Sequence, residues 1–150
     1  MALNPVWANE LWIGTESTTS NNVVTWTYAK LCKGIESMEF SPNEQNQQYF
    51  FICGNGFAHN EVTGGAPQLT ISGRRIAGDT AQDYIVGKQF ALGTDRNTSV
   101  KIVAEGKQIV CDATIGEVTS FGGSTLDVNN FGCTLYFNGQ PTVTSASTGT

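Results

Sequence analysis

The sequence predicts a mainly β domain, a two-sheet sandwich or partly closed barrel with one short flanking helix at about residues 79–86. Three observations carry this. Charged residues make up only 14% of the chain, against a usual share of about 25%, and Thr, Ser, Asn, Gln and 17 Gly fill the gap. That mix favours strands and turns over helices. Apolar residues alternate with period two through the last third of the chain, and a single segment shows helical spacing. With 150 residues the chain can form one domain that buries a real core.

Taken in order, residues 1 to about 34 have little periodicity. Trp7, Trp12, Trp26 and Tyr28 flank a polar run, TESTTSNN, at positions 15–22. Two readings fit: an arm whose apolar anchors dock on another surface, or a frayed terminus followed by an edge strand. GIESMEF then reads as a strand closed by Pro42. QQYFFICGNG is a short apolar run ending in glycines that reads as a strand leading into a loop, and HNEVTGGAP is turn material. QLTISGRR alternates cleanly, with Leu69, Ile71 and Gly73 on one side and Thr70, Ser72 and Arg74 on the other.

The helix follows in GDTAQDYIVG. Asp79 sits where an N-cap accepts from the free N–H groups of the first turn. Ala81, Tyr84 and Ile85 form one apolar stripe, and Gly87 supplies the stop. So short a helix must pack on a sheet to persist. SVKIVA, the turn Glu105-Gly106 and KQIVCDATIGEVTS then form a β-hairpin. Val100, Ile102 and Ala104 share a face with Ile109, Cys111, Ala113 and Ile115. The opposite face carries Lys101, Val103 and Glu105 on the first strand, with Gln108, Val110, Asp112 and Thr114 on the second. A last strand alternates Phe131, Cys133, Leu135 and Phe137 and is expected to end at Asn138-Gly139. The predicted organisation is an N-terminal arm over 1–34, a β-domain over 35–141 and a flexible tail over 142–150.

Several function classes are disfavoured. Eight basic residues among thirteen acidic ones, a formal net charge of −5, argue against tight nucleic-acid binding, which needs Lys and Arg to neutralise phosphates. No apolar run approaches the roughly 20 residues that span a bilayer, and the N-terminus lacks the pattern of a secretory signal. Assembly in the cytoplasm, with no membrane partner, is the expectation. Cys32, Cys53, Cys111 and Cys133 contain no C-x-x-C pair and only one His, His59, is present, so no metal site is predicted. Cys111 and Cys133 fall at apolar strand positions and read as buried thiols, with a disulfide as the alternative. No G-x-S-x-G, H-E-x-x-H or P-loop occurs, so neither an enzyme nor a cofactor site is expected. Asp79 and Asp83 form an i, i+4 carboxylate pair that helix capping and dipole interaction explain.

Three segments together carry a family resemblance: PQLTISGRRIAGDTAQDYI, GTDRNTSVKIVAEGKQIVCDATIGEV and GGSTLDVNNFGCTLYFNGQP. Over about residues 34–141 the chain resembles the major tail tube proteins of long-tailed bacteriophages, of the small-subunit type common in phages and prophages of Gram-positive bacteria. The resemblance implies a virion structural protein. Its copies would form hexameric rings whose inner strands join into one barrel, stacked around a tape measure protein into a tube for DNA ejection. Tail-tip and terminator proteins are the implied partners, and DNA passes without specific binding. A long loop and terminal arms would bridge the rings.

On that reading Gln108, Asp112 and Thr114, polar without a basic residue, are expected to face the lumen, where a passing polyanion must meet neutrality or repulsion. The alternative is a solvent-exposed face of a monomer. Residues 41–66 are long for an internal connection. They are expected to be the ring-to-ring loop, with Tyr49, Phe50 and Phe51 as anchors. The alternative is a strand at 48–53 with ordinary loops. Rival functions are a related terminator or secretion-tube component, which shares the fold, and a carbohydrate-binding sandwich using Trp7, Trp12 and Trp26.

Overall fold

The structure, a computed structural model, describes residues 3–145. Nine strands, one α-helix and three short 3-10 turns make up the described chain. The strands are β1 (Glu10–Ser20), β2 (Val23–Lys30), β3 (Ile35–Ser41), β4 (Glu44–Phe50), β5 (Ala58–Gly65), β6 (Gln68–Arg74), β7 (Asn97–Ala104), β8 (Lys107–Thr119) and β9 (Asn130–Ser145). The helix α1 spans Thr80–Gly87. The fold is mainly β with two sheets and is not closed into a barrel. Seven strands form an antiparallel sheet in the order β2-β1-β7-β8-β9-β6-β3, and β4 and β5 pair by themselves.

Two tight hairpins set the register of the large sheet. Asn21 and Asn22 have φ of 51° and 64°, and Glu105 and Gly106 have φ of 52° and 75°, the left-handed pair of a two-residue turn whose twist suits the flanking strands. These turns pair Ser20 with Val23 and Ala104 with Lys107. The predicted faces follow: Val100, Ile102, Cys111, Ala113 and Ile115 are buried, as are Phe131, Cys133, Leu135 and Phe137 of β9 and Leu69 and Ile71 of β6. The sheet curls so that Met38 and Phe40 of β3 face Ile102 and Ala104 of β7 across an apolar groove of about 430 Å³. Ala81 and Ile85 of α1 close the core against β1, β2 and β8.

Three segments differ from expectation. Residues 10–30, read as an arm or as a frayed terminus with an edge strand, form the β1–β2 hairpin. In it β2 is an edge strand, as the second reading has it, while β1 lies within the sheet with Leu11 and Ile13 in the core. Apolar alternation is lost halfway along β1, where a bulge near Gly14 carries the strand out beyond the core. Ala58–Gly65, read as turn material, is strand β5; exposed on both faces, it needs no apolar pattern. Asn138-Gly139 does not end β9. The register slips so that Asp112 faces Asn138 while Val110 faces Thr142, and a bulge at Gly139 (φ 84°) absorbs the extra residues. Pairing then continues to Ser145, which satisfies the far side of Lys107–Val110. Of the predicted tail, residues 142–145 belong to this strand and 146–150 lie outside the described residues.

Candidate assembly surfaces

The first surface is the face of β7, β8 and β9 turned away from the core. Gln108, Asp112 and Thr114 all lie on it, Asp112 exposed and the other two half-buried. The Thr114 hydroxyl donates to Asn97 Oδ1 at 3.1 Å and accepts from Asn138 Nδ2 at 2.9 Å. Asp112 sits in register between Ser99 and Asn138. Asp112, Ser99 and Asn138 line an open cleft of about 820 Å³ with Trp26 and Tyr28 of β2. Gln108 lies further along the strand, opposite Val103 and Thr144.

This face carries a cation that an inspection of β8 alone overlooks. Lys101 of β7 pairs with Val110 and so shares the face. Its ammonium lies 4.7 Å from the Trp12 ring centroid and 4.8 Å from that of Tyr28, an arrangement in which the ring quadrupoles attract the charge. Tyr28 is held by a 2.9 Å hydrogen bond between its hydroxyl and Ser99 Oγ. Trp26 lies over Gly14, where a Cβ would come within 2.7 Å of the ring. Trp12, Trp26 and Tyr28 are thus structural parts of this face, while Trp7 lies exposed elsewhere, beside Val6 and Leu31. Lys30, paired with Glu10 at 3.0 Å, completes it.

The second surface is the β4–β5 ribbon. Ala66 N–H donates to Asn43 O at 3.2 Å, and Asn43 Nδ2 donates to Ala66 O at 3.1 Å, so the base of the ribbon is closed. Beyond it the two strands pair only with each other, and every residue of β4 is exposed. Tyr49 stacks on Phe51 with centroids 5.8 Å apart, and Phe51 packs against His59. Phe50 is 68% exposed and Ile52 entirely so, with Phe57 and Val62 also open to solvent. An isolated two-stranded ribbon is marginal in water, and this one concentrates exposed apolar side chains.

The helix residues play a structural part. Asp79 Oδ2 accepts from Gln82 N at 3.2 Å as the cap, and Tyr84 is half-buried with the Lys88 ammonium 5.2 Å from its ring. Asp83 bonds Arg75 at 2.6 Å, and that hydrogen bond holds its carboxyl below the usual carboxylate range. Sequence periodicity missed Gln82, whose amide is fully buried. Its Oε1 accepts from Ile76 N and Arg75, and its Nε2 donates to Lys33 O and Arg74 O. A polar residue beside an apolar helical stripe carries no sign of burial in the sequence; only the linker packed over it reveals the role.

Cys111 and Cys133 are buried free thiols, and burial pushes both up, Cys133 to about 12. Cys32 and Cys53 are exposed and free. Among the described residues no group of three or more His, Cys, Asp and Glu could hold a metal ion, and no helix is long and apolar enough to cross a membrane.

No protein-family model matches the chain, and no curated protein matches it in sequence. Its fold is shared with a chain from the tail of an empty GTA particle, obtained by helical refinement with C6 symmetry. The TM-score is 0.66 at 13% identity, over 96% of this chain and 100% of that one. At so low an identity the likeness is one of fold.

Proposed function

We propose that this chain is a non-enzymatic structural subunit of a phage-type tail tube, of the long-tailed kind whose sequence pattern it carries. In this reading six copies close head to tail into a ring, and rings stack into the conduit through which DNA leaves the virion. A tape measure protein and tail-tip or terminator proteins are its partners, and assembly takes place in the host cytoplasm. The observation that carries the reading is the match of fold across essentially the whole of both chains with a component of a six-fold symmetric tail. Rotational closure gives a ring, and repetition along the axis gives a filament.

Each surface takes a part in this reading. The β4–β5 ribbon, with Tyr49, Phe50 and Phe51 near its tip, reaches from one ring to the next. The face bearing Gln108, Asp112 and Thr114 lines the lumen, with the Lys101 charge held against the Trp12 and Tyr28 side chains on the same face. Electron microscopy over a concentration series, with and without tape measure and tail-tip proteins, tests the proposal. Wild type should give rings or hollow filaments. Excision of residues 44–65, with Asn43 and Ala66 rejoined by a short turn, should give rings that do not stack. Monomers under every condition would overturn the tube reading, and normal tubes from the excised chain would remove the ribbon from ring-to-ring contact.

A further inference from the structure

The large sheet has open edges, and they are not equally protected. Solvated edges of monomeric proteins are blunted by charge, proline or bulges, because a bare edge pairs with another chain. Edge strand β3 carries exposed Glu36 and Glu39 and a register shift between Ile35 and Ser37. Edge strand β2 has no such guard. Val23–Ala29 reads VVTWTYA, seven residues without charge, Pro or Gly, rich in the types that favour strands. Val23 and Val24 are 61% and 54% exposed. A second open stretch, blunted only by Pro141 and the bulge at Gly139, lies across the sheet. β6 covers β9 only over residues 130–136, so beyond the bulge β9 has β8 on one side and, among the described residues, no strand on the other.

The two-residue turns fix which groups these edges offer. Ser20 and Val23 close their hairpin by bonding each other, so the N–H groups of Val24 and Trp26 point away from β1. Ala104 and Lys107 close theirs, so Gln108 and Val110 bond Thr144 and Thr142 across β9. Pro141, Val143 and Ser145 then face the open side, and Pro141, which has no N–H, sits where a ladder bond is not required by β8. Five strands, β2-β1-β7-β8-β9, run from one open edge to the other, each antiparallel to the next. An odd number of antiparallel strands leaves the first and last running the same way. Copies related by rotation about one axis keep that direction, so these edges can meet only in parallel.

We propose that β2 of one copy pairs in parallel with residues 139–145 of β9 of the next copy, forming the seam between subunits. The inference rests on the ring-forming reading above and specifies its interface. In the background of Cys32→Ser and Cys53→Ser, Val24→Cys is combined singly with Gln140→Cys, Thr142→Cys and Thr144→Cys, and assembled protein is oxidised. Interchain ladders should be strongest with Gln140→Cys and weakest with Thr144→Cys. The reverse order would mean antiparallel pairing and overturn the proposal. Val24→Pro removes one outward N–H without touching the β1 ladder. It should leave the circular dichroism and melting temperature of the monomer unchanged while raising the concentration needed for rings at least tenfold. Rings of wild type that form equally well with Val24→Pro and give no ladder with any pair would place the seam elsewhere and leave the ring reading intact. Absence of rings from wild type, with its tail partners supplied, would remove that reading itself.

Discussion

The Gln82 side chain ties three backbone groups, at Lys33, Arg74 and Ile76, to α1, and replacing it by Leu isolates what that tie contributes. Leu has nearly the volume of Gln, so little cavity is created, and the change is one of hydrogen bonding. The Oε1 atom accepts from Ile76 N at 2.8 Å and Arg75 Nη1 at 3.2 Å, while Nε2 donates to Lys33 O at 2.8 Å and Arg74 O at 3.1 Å. Arg75 keeps Asp83 and the Ile76 carbonyl, so three backbone groups lose a partner. At about 1 kcal/mol or more for each group left unpaired, Gln82→Leu should lose about 3 kcal/mol, offset in part by burial of the apolar side chain. For a chain of this size that corresponds to a fall in melting temperature of about 6–12 °C. Urea unfolding followed by circular dichroism should show a lower midpoint with an unchanged slope. Gln82→Glu should cost more at neutral pH, since a carboxylate oxygen then faces two carbonyl oxygens, and should recover stability as acid protonates it. A loss below about 1 kcal/mol for Gln82→Leu would show that the linker is held by other contacts, and the reasoning would fail.

Two further outcomes follow from the surfaces. A disulfide-exchange reagent should titrate two thiols rapidly in the native monomer, Cys32 and Cys53, and all four in denaturant, because Cys111 and Cys133 are buried; rapid reaction of four native thiols would contradict the packing of β8 on β9. Asp112→Cys, in a chain lacking the two exposed thiols, should react with a bulky maleimide as a monomer and resist it in capped, assembled tubes. Full labelling of intact tubes would take Asp112 out of the lumen.

What could be read locally and what could not differ for a physical reason. Strands β6, β7 and β8 and the first half of β9 each bury one face, so alternation along the sequence reports their pairing. Helix α1 announces itself through the Asp79 cap, the Ala81 and Ile85 spacing and the terminal Gly. The β4–β5 ribbon buries neither face and leaves little periodic trace, so beyond the apolar run at 48–53 its sequence reads as loop. β1 buries only its first half, and β2 rests on it as a mostly exposed edge, which is why the N-terminal segment looks like an arm. For the candidate lumen, the alternation of β8 places Gln108, Asp112 and Thr114 on one face, because that period is a property of the strand alone. Lys101 joins them across the local β7–β8 hairpin, whereas their other neighbours are set by pairing between distant segments: Trp12 and Tyr28 come from the N-terminal hairpin and Asn138 from β9. Local propensity and hydrophobic period thus determined which segments become strands or helix. Only the tertiary arrangement decided the strand order, the buried role of Gln82 and the two open edges, because each depends on what lies across the sheet and not on what comes next along the chain.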